Sequence, residues 1–123
     1  MTKHTLTQEA LGQFTGTVNW YRHALVRSVT YTEGAQYVAE HGGAYWLLDI
    51  IAIAPRHGNA VRAEPFQVWR LTVRDDRSGT VTCDDGNGKE VYRQEIPYTD
   101  FPLPEITLYF TDNVINASRR ILT

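Results

Sequence analysis

The sequence predicts an α+β domain, an antiparallel β-meander sheet with two or three helices packed on one face. Two patterns carry this prediction: apolar residues alternate with a period of two through much of the second half, and two stretches of the first half carry helix start and stop signals. Strands grouped apart from helices are typical of α+β folds. The chain has 123 residues, of which 42% are hydrophobic, so residues 1–123 are interpreted as one domain with a single core.

The beginning of the chain mixes both kinds of signal. Thr7–Phe14 is predicted to form a short helix, because apolar residues recur on one side and Gly16 follows to end it. Thr17–Tyr31 is rich in aromatic and β-branched residues, which predicts strands with a turn near His23–Leu25.

A helix over Glu33–His41 is indicated by signals at both of its ends. Thr32 can cap the first turn, where Glu33 meets the positive end of the helix dipole. Gly42-Gly43 can end the helix, because glycine readily adopts the left-handed conformation that follows a last helical turn.

The apolar run Ala44–Ala54 is predicted to form the next helix. It is followed by Pro55, and its length and ending are typical of a helix. A buried central strand over Tyr45–Ile53 is the alternative, because the isoleucines favour strands. In the helical interpretation one strip of the surface can meet water, and its residues are Tyr45, Asp49 and Ala52.

Four strands are predicted after a polar loop over Arg56–Pro65. Their bounds are Phe66–Arg74, Thr80–Cys83, Glu90–Ile96 and Glu105–Thr111. Ser78-Gly79 and Asp84–Gly88 are the turns of the first two hairpins, because several of their residues tolerate positive φ. Pro97–Pro104 contains three prolines, so it is interpreted as a fixed corner before the fourth strand of the meander.

Composition and net charge disfavour several classes of function. The chain has 12 basic and 14 acidic residues, a net charge of -2, which disfavours generic binding to nucleic-acid phosphates or to an anionic membrane surface. Its one cysteine excludes an intrachain disulfide and favours a reducing cytosol. The longest apolar run is well short of the ~20 residues that a membrane span needs. We therefore expect a cytoplasmic protein with no membrane partner.

The sequence contains no recognisable catalytic or metal-binding motif. The four histidines are too far apart for a local zinc motif, and no serine lies in a GxSxG elbow. Cys83 lies beside Asp84 and Asp85, which would raise the pKa of its thiol, so it is interpreted as structural. These two acids could help to gather a divalent cation, although a solvated hairpin is the simpler interpretation. No catalytic residue, metal ligand or cofactor is predicted.

Two polar features are interpreted as structural. Asp49, on a mostly apolar helix, needs a partner if it is buried. The candidates are Arg22, Arg27 and Arg56. In the corner, Thr99 and Asp100 are expected to bond local backbone groups, with Phe101 tucked under the sheet.

A set of short segments carries a family resemblance. They are Thr15-Gly16-Thr17, Tyr21-Arg22-His23, Tyr31-Thr32-Glu33-Gly34, Ala44 to Asp49, Phe66-Gln67-Val68-Trp69, Asp85-Gly86-Asn87-Gly88 and Ile96 to Pro102. On these segments, nearly the whole chain resembles an uncharacterised family of small bacterial, plasmid-borne and phage-borne proteins, a domain of unknown function. The resemblance supplies no catalytic residue. It implies a setting in which small proteins often bind a host or defence protein, as anti-restriction and anti-CRISPR inhibitors do.

Three functions are weighed on this basis. The favoured hypothesis is a small non-enzymatic binding protein, an accessory or counter-defence factor that acts by covering a partner's surface and can form a homodimer through an aromatic sheet edge. Its candidate surface comprises Arg22, His23, Asp84, Asp85, Asn87, Tyr98 and Asp100. The first alternative is a small metal-dependent or hydrolytic enzyme, with Asp84, Asp85 or the pair His23 and His57 as its reactive groups. The second is a nucleic-acid-binding accessory protein, with contacts from Arg22, Arg27, Arg119 and Arg120.

Overall fold

The computed structural model describes residues 20–56 and 59–117, which contain one seven-stranded mixed sheet and three α-helices. The strands are β1 (Trp20–Arg22), β2 (Thr30–Thr32), β3 (Phe66–Val73), β4 (Gly79–Asp84), β5 (Glu90–Ile96), β6 (Glu105–Thr111) and β7 (Val114–Asn116). The helices are α1 (Glu33–Gly42), α2 (Tyr45–Ile53), which continues into a 3-10 turn over Ala54–Arg56, and α3 (Asn59–Arg62). The α+β class is confirmed. The helix predicted over Thr7–Phe14 lies outside the described residues.

The sheet departs from a meander at the fourth predicted strand. The strand order is β1-β2-β7-β6-β3-β4-β5, so β6 pairs with β3 and not with β5. The proline-rich corner explains the difference, because its carbonyl groups are bonded near the end of β3. The Val73 N–H donates to the Pro104 carbonyl at 2.8 Å. The Arg77 guanidinium donates to the carbonyls of Thr99 at 3.1 Å and Phe101 at 2.7 Å. These bonds direct the chain to the other edge of β3.

The first two strands pair as predicted but are joined by a longer connection. β1 and β2 are antiparallel, and residues 23–29 link them where a turn over His23–Leu25 was expected. The His23 ring organises this loop, because its Nδ1 accepts the N–H groups of Leu25 at 3.1 Å and Val26 at 3.0 Å. On its other side β2 pairs in parallel with β7, a strand too short for its periodicity to predict.

Local end signals fix α1 as predicted. The Thr32 side chain accepts the Ala35 N–H at 3.3 Å, and Gly43 takes the left-handed conformation at φ 63°. The helix extends one residue beyond the predicted end, to Gly42. His41 lies in its last turn, as expected, with its ring centroid 4.2 Å from that of Tyr37.

Ala44–Ala54 is helical, and the alternative of a buried strand is wrong. Tyr45 and Asp49 meet water as predicted, whereas Ala52 is buried. The residues of the buried face are Leu47, Leu48, Ile51 and Ala52. Ala52 was assigned to the wrong side because a helix that is apolar on nearly every side does not indicate which side faces the core. The predicted polar loop over Arg56–Pro65 also contains the short helix α3.

One hydrophobic cluster combines buried side chains of α1 and α2 with those of β3, β4 and β6. Trp69, which is 1% exposed, lies within it and donates its indole N–H to the Gln67 amide oxygen at 2.9 Å. The Gln67 amide group donates in turn to the carbonyls of Val61 at 3.0 Å and Glu64 at 3.2 Å, which ties α3 to β3. The packing of all helices on one face of the sheet stays a prediction. None of the helices in the described ranges is long and apolar enough to cross a membrane.

Candidate protein interface

The seven residues predicted as one interaction surface lie in three separate places. Two are at the end of β1, three are in the β4–β5 hairpin and two are in the corner after β5: Arg22 and His23; Asp84, Asp85 and Asn87; Tyr98 and Asp100. Four strands stand between β1 and β4, which corresponds to about 24 Å at the usual strand spacing. The hairpin and the corner lie at opposite ends of the β4–β5 pair. The structure therefore does not bring these residues together.

The acids of the hairpin stabilise their own turn. Asp84 forms an ion pair with Arg70 across the sheet. Asp85 accepts the N–H groups of Asn87 at 2.8 Å and Lys89 at 3.2 Å, and these bonds lower the pKa of its carboxyl group. Within residues 20–56 and 59–117, no group of three or more His, Cys, Asp or Glu side chains is placed to hold a metal ion.

The corner after β5 combines a buried anchor with an exposed rim. Phe101 is fully buried, and its N–H donates to the Thr99 hydroxyl at 3.1 Å, as expected. Tyr98 is 69% exposed, and Asp100 is exposed as well. Of the two side chains expected to bond local backbone groups, Thr99 makes such a bond.

Charged side chains also line a shallow depression of about 400 Å³ on the strands β3, β4 and β5. Arg74 pairs with Glu95 at 2.9 Å, and Arg93 pairs with Glu90 at 2.9 Å. The Thr80 hydroxyl and Arg74 together lower the pKa of Glu95. Because each of these arginines already has an acidic partner, the depression is explained as a surface ion-pair network of the sheet.

Cys83 is structural, as the sequence predicts. It is fully buried in β4, and burial is the largest cause that raises the pKa of its thiol to about 12. The charges of Asp84 and Glu64 raise this pKa further. The reactive species of a cysteine is the thiolate, so burial and charge both make this thiol inert.

The thiol of the folded protein is expected to react with Ellman's reagent at pH 8 at least about 1,000-fold more slowly than that of the urea-unfolded chain. A pKa raised from 9.0 to about 12 reduces the thiolate fraction by this factor. The folded protein binds the thiol proton more tightly than the unfolded chain does. The contribution of Cys83 to the free energy of unfolding therefore decreases as pH rises from about 9 to about 12. The chain has one cysteine, so the labelling reports on Cys83 alone, and rapid labelling of the folded protein would contradict its burial.

Exposed large hydrophobic side chains cluster around β1, at the edge of the sheet opposite β5. Among the described residues, five large hydrophobic side chains are exposed, and four of them lie on β1, in the loop after it or at the start of α2. These four are Trp20, Tyr21, Leu25 and Tyr45, with exposed fractions of 58%, 36%, 69% and 42%. The fifth is Tyr98 in the corner. We call the four residues, together with Tyr31 and Asp49, the β1 edge surface.

Three tyrosines of this surface form one electrostatic cluster. Tyr21 and Tyr31 lie directly opposite each other on β1 and β2, with ring centroids 5.7 Å apart. Burial, Tyr21 and the charge of Asp49 raise the pKa of Tyr31. The Tyr45 hydroxyl donates to Glu40 at 3.0 Å. Burial, this hydrogen bond, the Glu40 charge and Tyr31 together raise the pKa of Tyr45 to about 12.

His23 connects β1 to α2 through Asp49. Its Nε2 donates a hydrogen bond to the Asp49 carboxylate at 2.8 Å, because its Nδ1 accepts two backbone N–H groups. Both ring nitrogens are thus occupied, and the buried ring has no free nitrogen to act as a general base. Among the described side chains, Asp49 pairs with His23 and not with the expected Arg22 or Arg27, and Arg22 donates to the carbonyl of Arg27. The side chain of Arg56, the third candidate, lies outside the described residues. His57, the second histidine of the enzyme hypothesis, lies outside the described residues, as do Arg119 and Arg120.

Residues 5–118 match the model of a family described as a family of unknown function, DUF6876. The chain belongs to this family. No curated protein and no solved structure matches the chain. The resemblance to a domain of unknown function is thereby confirmed, whereas a bacterial, plasmid or phage origin stays a prediction. Any function of this DUF6876 protein therefore has to be argued from its own residues.

The candidate surface predicted for this DUF6876 protein contains none of the residues of the β1 edge surface. It includes the neighbouring residues Arg22 and His23, but not Trp20, Tyr21 or Leu25. The signal was present in the strand itself. Neighbouring residues of a strand point to opposite faces, so Trp20 and Tyr21 can both be buried only if both faces of that strand are covered. The pairing of His23 with Asp49 could not be predicted, because 26 residues separate them.

Proposed function

We propose that this protein is a non-enzymatic protein-binding module whose contact surface is the β1 edge surface. The observation that carries the proposal is the concentration of four of the five exposed large hydrophobic side chains at one edge of the sheet. Contiguous exposed apolar patches on soluble proteins commonly mark sites of interaction. Tyrosine and tryptophan are enriched at such contacts, where they supply much of the binding energy.

The position of β1 in the sheet supports the same proposal. β1 pairs with β2 on one side, and no described strand pairs with it on the other. All three of its residues are exposed. An edge strand presents backbone N–H and C=O groups to which an extended segment of another protein can add. The aromatic side chains would then give this addition its specificity.

A counter-defence inhibitor of restriction or CRISPR type is the specific form of this proposal that the resemblance suggests. Its support is the setting of small mobile-element proteins, not a feature of the β1 edge surface. The general proposal does not depend on it, because any protein partner that covers β1 satisfies the argument. A second copy of the chain, paired through β1, is the homodimeric form of the same proposal.

The test is affinity purification of the tagged protein from its natural host, with Tyr21→Ser compared to Tyr98→Ser. Both variants remove an exposed tyrosine, but only Tyr21 belongs to the β1 edge surface. We expect Tyr21→Ser to lower the recovery of a co-purifying protein at least about tenfold, since central aromatic residues dominate interface energies. Tyr98→Ser should leave the recovery unchanged.

Equal recovery with both variants would contradict the proposal, as would loss of recovery with Tyr98→Ser alone. Circular dichroism of both variants checks that the fold is retained. Sedimentation of the purified chain identifies the homodimeric form. A dimer that Tyr21→Ser dissociates and Tyr98→Ser does not would support the proposal without a second protein.

A further inference from the structure

We propose that the β1 edge surface binds an arginine or lysine side chain of another protein, presented by an extended segment that pairs with β1. This inference rests on the proposed function and specifies the chemistry of the partner. Three observations support it: an exposed carboxylate that no described arginine or lysine side chain pairs with, tyrosine rings near it, and the register of the strands.

The carboxylate is that of Asp49, whose side chain is 46% exposed. One of its oxygens accepts the Nε2–H of His23 at 2.8 Å. The other ring nitrogen of His23 accepts two N–H groups, so the ring carries a single proton and no positive charge in this arrangement. A neutral ring does not neutralise the Asp49 carboxylate, and no arginine or lysine side chain described by the structure pairs with it. An exposed, uncompensated carboxylate is a natural acceptor for a partner's cation.

Tyrosine rings adjoin this carboxylate. Asp49 bonds His23, which follows β1 two residues after Tyr21, and Tyr21 stacks on Tyr31. The charge of Asp49 also acts on Tyr31. A guanidinium or ammonium group is attracted to the face of an aromatic ring as well as to a carboxylate. Glu40 adds a second exposed carboxylate, which accepts the Tyr45 hydroxyl. The surface thus offers negative charge and aromatic faces to the same ligand group.

The strand register indicates where the cation would stand. In an antiparallel pair, residues directly opposite each other point to the same face of the sheet, as Tyr21 and Tyr31 do. A segment that adds to β1 on the side where no described strand pairs with it would continue this row, so its residue opposite Tyr21 would point to the same face. A long basic side chain at that position would lie along the Tyr21 ring and reach towards Asp49.

The same observations disfavour two other occupants. Nucleic-acid phosphates would be repelled by Asp49 and Glu40. A second copy that paired antiparallel about Tyr21 would place a tyrosine, not a cation, opposite Tyr21. The nearby Arg22 is held by the carbonyl of Arg27, at the end of β1.

The experiment is an NMR titration of the ¹⁵N-labelled chain with N-acetyl-arginine amide, compared with N-acetyl-citrulline amide. Citrulline has nearly the shape of arginine without its charge. We expect arginine amide at millimolar concentration to shift the backbone amide signals around Tyr21, Tyr31 and Asp49. Citrulline amide should shift them at most one-fifth as far. Equal shifts with both compounds, or no shift around Tyr21 with arginine amide, would overturn the inference.

Two asparagine variants complete the test. Asp49→Asn keeps an oxygen that can accept the His23 N–H, so it removes the charge without removing the hydrogen bond. It should reduce the arginine-induced shifts at least fivefold, whereas Asp100→Asn, in the distant corner, should leave them intact. An undiminished response in Asp49→Asn would overturn the inference. If Tyr21→Ser abolishes co-purification while arginine amide produces no shift, this inference fails and the proposed function stands.

Discussion

Replacing Trp69 with alanine is expected to lower the free energy of unfolding by about 3–5 kcal/mol. The indole ring is fully enclosed, lies 5.4 Å from the Tyr92 ring and donates its N–H to Gln67. Alanine would leave a cavity in the hydrophobic cluster. It would also remove the hydrogen bond to the buried Gln67 amide, which in turn bonds the carbonyl of Val61 in α3. Urea unfolding, followed by far-UV circular dichroism, measures the loss.

Trp20→Ala is the matched control, because it removes the same side chain from a position that is more than half exposed. Its effect on the free energy of unfolding should stay within about 0.5 kcal/mol. Equal losses from the two substitutions would contradict the assignment of Trp69 to the core and Trp20 to the β1 edge surface. The control also serves the functional argument, since a stable Trp20→Ala protein can be used in binding experiments.

Replacing His23 with alanine is expected to lower the free energy of unfolding by about 2–3 kcal/mol. The ring is buried and makes three hydrogen bonds, one to Asp49 and two with the N–H groups of Leu25 and Val26. Removing it leaves the N–H groups of the β1–β2 loop without their acceptor. Urea unfolding of the variant measures this loss.

Asp49→Asn tests the protonation that the hydrogen bonds imply for His23. A neutral ring that donates from Nε2 can also donate to an amide oxygen, so the substitution only replaces a charge-assisted hydrogen bond with a neutral one and should cost about 1 kcal/mol. A loss of about 3–5 kcal/mol, the typical cost of breaking a buried ion pair, would indicate instead that the buried His23 ring is charged. The two variants together therefore separate a hydrogen bond from a salt bridge.

Local signals predicted those parts of the fold whose causes are local. The Thr32 cap and Gly43 fixed α1, and the Asp84–Gly88 turn fixed the β4–β5 hairpin, where Gly86 and Gly88 indeed have positive φ. These features depend on a few neighbouring residues, so the sequence carries them directly. The bounds of β5 and β6 agreed with prediction for the same reason.

The errors lie where distant residues decide the structure. Alternation predicted β6 but not its neighbour, because the pairing with β3 depends on how Arg77 and Val73 bind the corner. The rotation of α2 was misassigned at Ala52, because neighbouring elements and not its own pattern fix that helix. The candidate surface was dispersed for a similar reason. Residue type suggested polar and aromatic contacts, but only the strand order shows which of these residues share an edge.

The contact role of the β1 edge surface is tested most directly by photo-crosslinking in the natural host, with p-benzoylphenylalanine at position 21 or at position 98. Both positions hold exposed tyrosines in the native chain, so the aromatic probe fits either without disturbing the core. We predict a discrete crosslinked protein band from position 21 that position 98 does not give, and a loss of this band in the presence of Trp20→Ala. A band from position 98 alone, or no band from position 21, would contradict the account.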